Sequence, residues 1–218
     1  MKFSTVLFDL DGTLIDTKPG VLRSVRTTLR ELGVPEPEEK QLIKFLGPPL
    51  KVCFTEIIGL GPDDADRAMA IFRHDLIESG NAFDCNVYPG MPELLGRLRD
   101  GGVKLGVATS KLESLAVKIL AKKGIAEYFG AVSGSPIDDP AFTKADSIRG
   151  AVARIPGARA DRTCALVGDR LYDAGGAKQA GITGIGVGYG FGSPQEIASA
   201  GFDLTAADMG ALSSLLLS

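Results

Sequence analysis

The chain has little of what several common chemistries need. Histidine occurs once, at His74, in 218 residues. That leaves no set of histidines for a poly-histidine metal site and argues against a Ser-His-Asp triad. Cysteine occurs three times, at Cys53, Cys85 and Cys164, with no CxxC spacing. An odd, sparse count fits reduced thiols in a cytoplasmic compartment better than a disulfide framework. No apolar stretch reaches the length of a membrane span. The start carries only Val6-Leu7-Phe8 before Asp9, which is not the pattern of a signal peptide. Excess positive charge is also missing. The formal net charge is -3, so neither nucleic acid nor an anionic membrane surface is an expected partner.

What is present is ordinary for a soluble globular chain, with 44% hydrophobic and 23% charged residues. The length suits one domain, or a core domain with a smaller insert, and can bury roughly 70% of the unfolded surface. No internal repeat or low-complexity tract occurs. Short β-rich runs alternate with helical periodicity. Strands are expected at 5–8, 103–109, 130–134, 163–168 and 183–188. Helices are expected at 19–32, 88–102, 111–123, 144–154, 172–180 and 208–217. Between them, 36–86 looks helical, with turn signals at 47–49 and 59–66. The organisation that follows is an α/β, Rossmann-like core made of 1–16 plus 87–218, with a parallel sheet covered by helices on both faces, and a helical insert at 17–86.

The first strand, in "TVLFDLDGTLIDT", ends at Asp9, and Asp11 follows one leucine later. Like charges this close repel, and neither helix nor strand gains from them. In open parallel sheets, ligands bind beyond the carboxyl ends of strands. Three such ends carry polar residues here: Asp9 and Asp11, Thr109 and Ser110, and Asp169. Converging carboxylates are costly unless a cation shares the site. Oxygen ligands suit Mg²⁺, which usually takes one or two carboxylates, waters and a phosphate. Asp9 and Asp169 can supply carboxylates, and the backbone carbonyl of Asp11 another oxygen. A phosphate there needs donors. Thr109 offers a hydroxyl, Leu10 and Ser110 offer backbone amides, and Lys144 a positive charge at a helix start.

The ordered motifs "DLDGT" (9–13), "VATS" (107–110), "TKAD" (143–146) and "GDRLYD" (168–173) resemble those of the haloacid dehalogenase superfamily of phosphatases. The resemblance covers nearly the whole chain, and the insert is similar to that superfamily's type-1 cap. "FLGPPL", "VYPGMPELL", "GVATSKLE" and "GIGVGYGFGS" resemble the branch containing phosphoglycolate phosphatases and 5′-nucleotidases. The resemblance implies Mg²⁺-dependent hydrolysis of a small phosphorylated metabolite. Asp9 would attack phosphorus and become an aspartyl phosphate. Asp11 would protonate the leaving alkoxide and then deprotonate the attacking water. Residues i and i+2 of an extended segment point the same way, so both can reach one phosphate.

Asp173 can join the metal site or orient Lys144, or serve only as an acid favoured by a helix N-terminus. Asp16 can order the exit toward the cap or sit in a turn. Arg170 replaces the small hydroxyl residue common in the family and is either a substrate contact or a surface group. In the cap, Gly47 and Arg73 are candidates for reading the substrate, while His74 reads as a surface residue. The glycine-rich 186–192 reads as a flexible loop flanking the site, and 137–140 as a solvated loop.

A phosphoglycolate-like substrate is the leading expectation, with a nucleoside monophosphate or a phosphosugar mutase as alternatives. A dehalogenase would not need Asp11. A phosphonate-cleaving relative would need a Schiff-base lysine in the lid, where Lys40, Lys44 and Lys51 are available. Outside enzymes, a phosphoryl-accepting receiver is about half this length, and a silent binding protein has no reason to keep every chemical group in the set. Nothing in the sequence bears on oligomeric state.

Overall fold

The computed structural model describes residues 2–46, 50–136 and 141–218. Two compact units emerge, Met1–Ile15 with Val87–Ser218, and Asp16–Asn86.

In chain order the first unit begins with β1 (Thr5–Phe8). The chain crosses to the second unit through β2 (Ile15–Asp16) and returns through β3 (Asn86–Val87), and these two form a small sheet of their own. Between them lie α1 (Lys18–Glu31), α2 (Glu39–Leu42), α3 (Leu50–Glu56) and α4 (Pro62–Glu78). The first unit then continues through α5 (Met91–Asp100), β4 (Lys104–Leu112), α6 (Glu113–Lys122) and β5 (Ala131–Ser135). Next come α7 (Lys144–Arg154), β6 (Cys164–Gly168), α8 (Leu171–Ala180) and β7 (Thr183–Val187). The chain ends with α9 (Pro194–Ser199), β8 (Leu204–Ala206) and α10 (Met209–Leu217).

Among the described residues, six strands form one parallel sheet in the order β5-β4-β1-β6-β7-β8. Every residue of β1, β6 and β7 is buried, the mark of strands covered on both faces. On one face Leu7, Ala108 and Leu166 pack with Ile148, Ala151 and Ile155 of α7 and its end and with Ala177 of α8. The alternate residues Val6, Phe8, Val107 and Val167 are equally buried on the other face.

The strand order places the switch point at β1. The chain leaves β1 toward β4 on one side and later toward β6 on the other, which opens a crevice beyond the strand ends. Register makes this definite. Phe8 is level with Val107 of β4 and with Val167 of β6. Asp9, Thr109 and Asp169 therefore leave three adjacent strands at nearly one level.

The sequence pattern misses β2, β3, β8 and α9 and places most other boundaries of the first unit within about three residues. In the second unit, α1 buries Leu22, Val25 and Leu29, while Val21 is only half-buried. Its N-cap residue, Thr17, makes no side-chain cap bond. Asp16 Oδ1 instead accepts the Lys18 N–H at 2.9 Å. Phe45 and Phe54 meet edge to face in this unit's core. Gly47 and the 137–140 segment lie outside the described residues.

Candidate active site

β1 delivers Asp9 into the crevice, and its own N–H stays in the ladder, donating to Val167 O at 2.9 Å. Its Oδ1 accepts the Leu10 N–H at 2.7 Å. Gly12 then turns the chain with φ +78°, the left-handed region that glycine adopts without steric cost. A Cβ there would collide with the carboxylate of Asp169, so this glycine is also a close-approach position.

Lys144 enters from the first turn of α7, which starts at a capping box. Thr143 accepts the Asp146 N–H, and Asp146 accepts the Thr143 N–H. The lysine side chain is buried. Its Nζ lies 2.8 Å from Asp9 Oδ1 and 2.9 Å from Asp173 Oδ1, and donates to Ala108 O at 3.1 Å. Asp173 sits in the first turn of α8, where its Oδ2 accepts the Arg170 N–H at 3.0 Å.

Asp169 is fully buried and held from two directions. The Thr13 hydroxyl donates to Oδ1 at 3.2 Å, and the Phe191 N–H donates to Oδ2 at 2.7 Å. Asp9, Asp169 and Asp173 each offer a carboxylate oxygen, and these atoms lie within 4.8 Å of one another. Of these three buried acids, Asp9 and Asp173 share one buried lysine. Burial, opposed by Lys144 and reinforced by Asp173 and Asp11, raises Asp9 to about 6. Burial, with the charges of Asp173 and Asp9 added, raises Asp169 to about 8, against the Phe191 and Thr13 hydrogen bonds. For Lys144, burial works against the charge, but Asp173 and Asp9 prevail and raise its pKa above the usual lysine value. A cluster short of positive charge, built from oxygen donors alone, fits a hard divalent cation.

Asp11 lies beside this trio rather than within it. Its Oδ2 is 3.2 Å from Lys111 Nζ, and its Oδ1 is buried without a hydrogen-bond partner among the described residues. Thr109 is buried, and its Oγ1 accepts the Lys111 N–H at 3.2 Å, while Ser110 is exposed. Arg170 donates through Nε to Glu196 Oε1 at 2.7 Å, and the same oxygen accepts the Leu171 N–H. That bond ties the start of α8 to α9. In the second unit, Arg73 and His74 are exposed on α4.

Sequence reasoning missed the shell behind Asp169. Thr13 stands in a quoted motif, yet no role followed for it. The 188–192 loop does not merely flank the site. It runs across Asp169, with the Phe191 N–H bound to the carboxylate. A side chain at Gly190 would strike Asp169 Cβ and Gly12 O, and one at Gly192 would strike Asp169 O. Tyr189 donates its hydroxyl to Thr13 O at 3.1 Å. Alternating glycines are a legible signal for such close backbone approach.

A buried acid cluster with one lysine, at the switch point of a parallel α/β sheet, defines a hydrolase core of the phosphoryl-transfer type. The chain belongs to the haloacid dehalogenase-like hydrolases, whose family pattern matches residues 6–187. A 5′-nucleotidase of Pseudomonas aeruginosa is 37% identical over 99% of this chain and 96% of its own. A phosphoglycolate phosphatase of Cupriavidus necator is 32% identical over 98% of this chain and 93% of its own. The tyrosine-protein kinase PtkA of Mycobacterium tuberculosis is 36% identical over 86% of this chain, which spans only 62% of PtkA. The solved PtkA structure matches with a TM-score of 0.85 at 34% identity, covering 98% of this chain and 97% of that one. The chain is thus a phosphatase of the haloacid dehalogenase-like family, with a helical insert consistent with a cap. Among the described residues, no helix is long and apolar enough to cross a membrane.

Proposed function

We propose that this phosphatase is a Mg²⁺-dependent phosphomonoester hydrolase that works through an aspartyl phosphate on Asp9. The observation that carries the reading is the buried Asp9-Lys144-Asp173 bridge with Asp169 in reach. Asp9, Asp169 and Asp173, with the Asp11 carbonyl, would hold the ion. When bound, the ion supplies positive charge that keeps Asp9 ionised and offsets charge on the transferring phosphoryl group. Lys144 holds the nucleophile in place. The Thr109 hydroxyl and the Ser110 amide bind phosphoryl oxygens, while the Leu10 amide, expected beside them, donates to Asp9 Oδ1 instead and holds the nucleophile. Asp9 attacks phosphorus as the ester P–O bond breaks. Asp11 gives a proton to the departing alkoxide and later takes one from the water that hydrolyses the intermediate.

The 16–86 unit acts as a lid that excludes water and reads the leaving group. Gly47 and Arg73 are its proposed reading residues. The substrate is a small cytoplasmic phosphomonoester, phosphoglycolate-like or a nucleoside 5′-monophosphate, and relatives of both names support that pair. The name of PtkA favours a second reading, in which a protein hydroxyl takes the phosphoryl group in place of water. Free phosphate release from a panel of phosphorylated metabolites, with Mg²⁺ and with chelator, separates the two. Hydrolysis that needs Mg²⁺ and disappears in Asp9→Asn with the fold intact is the expected result. Full turnover by Asp9→Asn would sink the proposal.

A further inference from the structure

Lys111 is not explained by phosphoryl binding at Lys144. It lies where β4 departs from regular pairing. From Ala108 to Leu112 β4 uses four steps, while β5 uses two from Ser133 to Ser135. The surplus forms a bulge at Thr109–Lys111, and bulges re-aim side chains beside active sites. This one is pinned. Glu113 Oε2 accepts the Gly134 N–H at 3.1 Å and an Arg154 N–H at 2.8 Å, and Arg154 also donates to Val132 O at 2.7 Å. Gly134 has no side chain because a Cβ would press on Lys111 O and the Glu113 backbone. The result aims Lys111 Nζ at Asp11 Oδ2, 3.2 Å away. The other oxygen, Oδ1, is buried and unpartnered among the described residues.

We propose that Lys111 is a positioning residue for leaving-group protonation: it pins Oδ2 of Asp11, so that Oδ1 delivers the proton. The inference rests on Asp11 being the acid. In that step the bond from phosphorus to the ester oxygen breaks and one from phosphorus to Asp9 forms. The ester oxygen keeps the electron pair and takes the proton from Asp11 Oδ1, leaving Asp11 ionised beside Lys111. The Lys111 ammonium at Oδ2 fixes the rotation of the Asp11 carboxyl and so leaves Oδ1 as the oxygen that acts.

The test compares kcat/KM for p-nitrophenyl phosphate, whose leaving group departs almost unaided, with the alkyl phosphate that the wild type hydrolyses fastest. In Mg²⁺-loaded protein, Lys111→Met is expected to lower the alkyl value at least about tenfold and the aryl value less than about threefold, since general acid catalysis is worth roughly 10²–10⁴-fold. Lys111→Arg should restore most of the alkyl rate. Equal losses on both substrates would make Lys111 a phosphate-binding or merely structural residue and overturn the inference, as would no loss on either. Should Lys111→Met melt early, Lys111→Gln carries the same comparison. Asp11→Asn is the control. If it lacks the alkyl preference, the acid assignment fails and Lys111 falls with it. If it shows the preference and the Lys111 variants do not, only the Lys111 inference fails.

Discussion

Lys144 carries the positive charge that two buried acids of the site depend on. It is the cation between Asp9 and Asp173, at 2.8 and 2.9 Å, with both partners buried. Removing one partner of a buried pair typically costs about 3–5 kcal/mol, because the other charge is left uncompensated. Lys144→Met should therefore lower unfolding free energy by about 3 kcal/mol in urea with chelator present, and lower turnover by at least about 100-fold with Mg²⁺. A variant as stable and active as wild type would remove Lys144 from the mechanism. Gly190 makes a different demand. Its added Cβ would meet Asp169 Cβ and Gly12 O, so Gly190→Ala must displace either the carboxylate or the backbone that holds it. Groups behind a metal ligand usually contribute about 10–100-fold in metal affinity. Gly190→Ala should raise the Mg²⁺ concentration for half-maximal activity by about that factor, read from a Mg²⁺ titration of phosphate release.

At the scale of the element, α8 offers a paired comparison inside one helix. Replacing a helical glycine by alanine normally stabilises by roughly 0.5–1 kcal/mol. Gly175 meets nothing within 4 Å, so Gly175→Ala should follow that rule. Gly176 faces α7, where a Cβ would sit 2.5 Å from Lys144 Cγ and 2.8 Å from its Cβ. Gly176→Ala should reverse the sign and also reduce activity, because it pushes the lysine away from Asp9. Urea midpoints and turnover of the two variants check this. Both glycines look alike in the sequence, and only the α7–α8 contact tells them apart.

The same limit explains what the sequence carries and what it hides. Asp9, Thr109, Lys144 and Asp169 were legible because each follows an apolar strand or opens a helix, and parallel strands bring such ends together. Asp173 was legible as an acid four residues after Asp169, though not whether it would reach Lys144. Lys111, Thr13 and Phe191 were not singled out, because their contacts depend on a bulge, a turn and a loop, and none of these has a period. The β8 strand escaped for a related reason. Leu204–Ala206 is short, at the sheet edge, and buries only Ala206.

At the scale of the whole molecule, the acid cluster ties stability to pH and to metal together. In metal-free protein, Asp169 is raised to about 8 and Asp9 to about 6, from an ordinary carboxylate value of 3.8. A raised acid keeps its proton in the native state after the unfolded chain has lost it. Between about pH 4 and pH 8 the unfolded state thus binds fewer protons, and native stability falls as pH rises. Above about 8 both states are ionised at Asp169 and its contribution levels off. A divalent cation reverses this by binding the ionised cluster of the native state alone. Its stabilisation therefore grows across the same window. At a Mg²⁺ concentration 100 times Kd it is worth about 2.7 kcal/mol, which for a chain of this size moves Tm on the order of 5–10 °C. The expected result is a gap in Tm between Mg²⁺ and chelator that is small at pH 5 and wide at pH 8. Taking the difference cancels every titrating group outside the cluster. Asp169→Asn, which keeps the shape and removes the charge, should close most of that gap at pH 8. Gaps of equal width at both pH values would mean that the three aspartates do not share an ion.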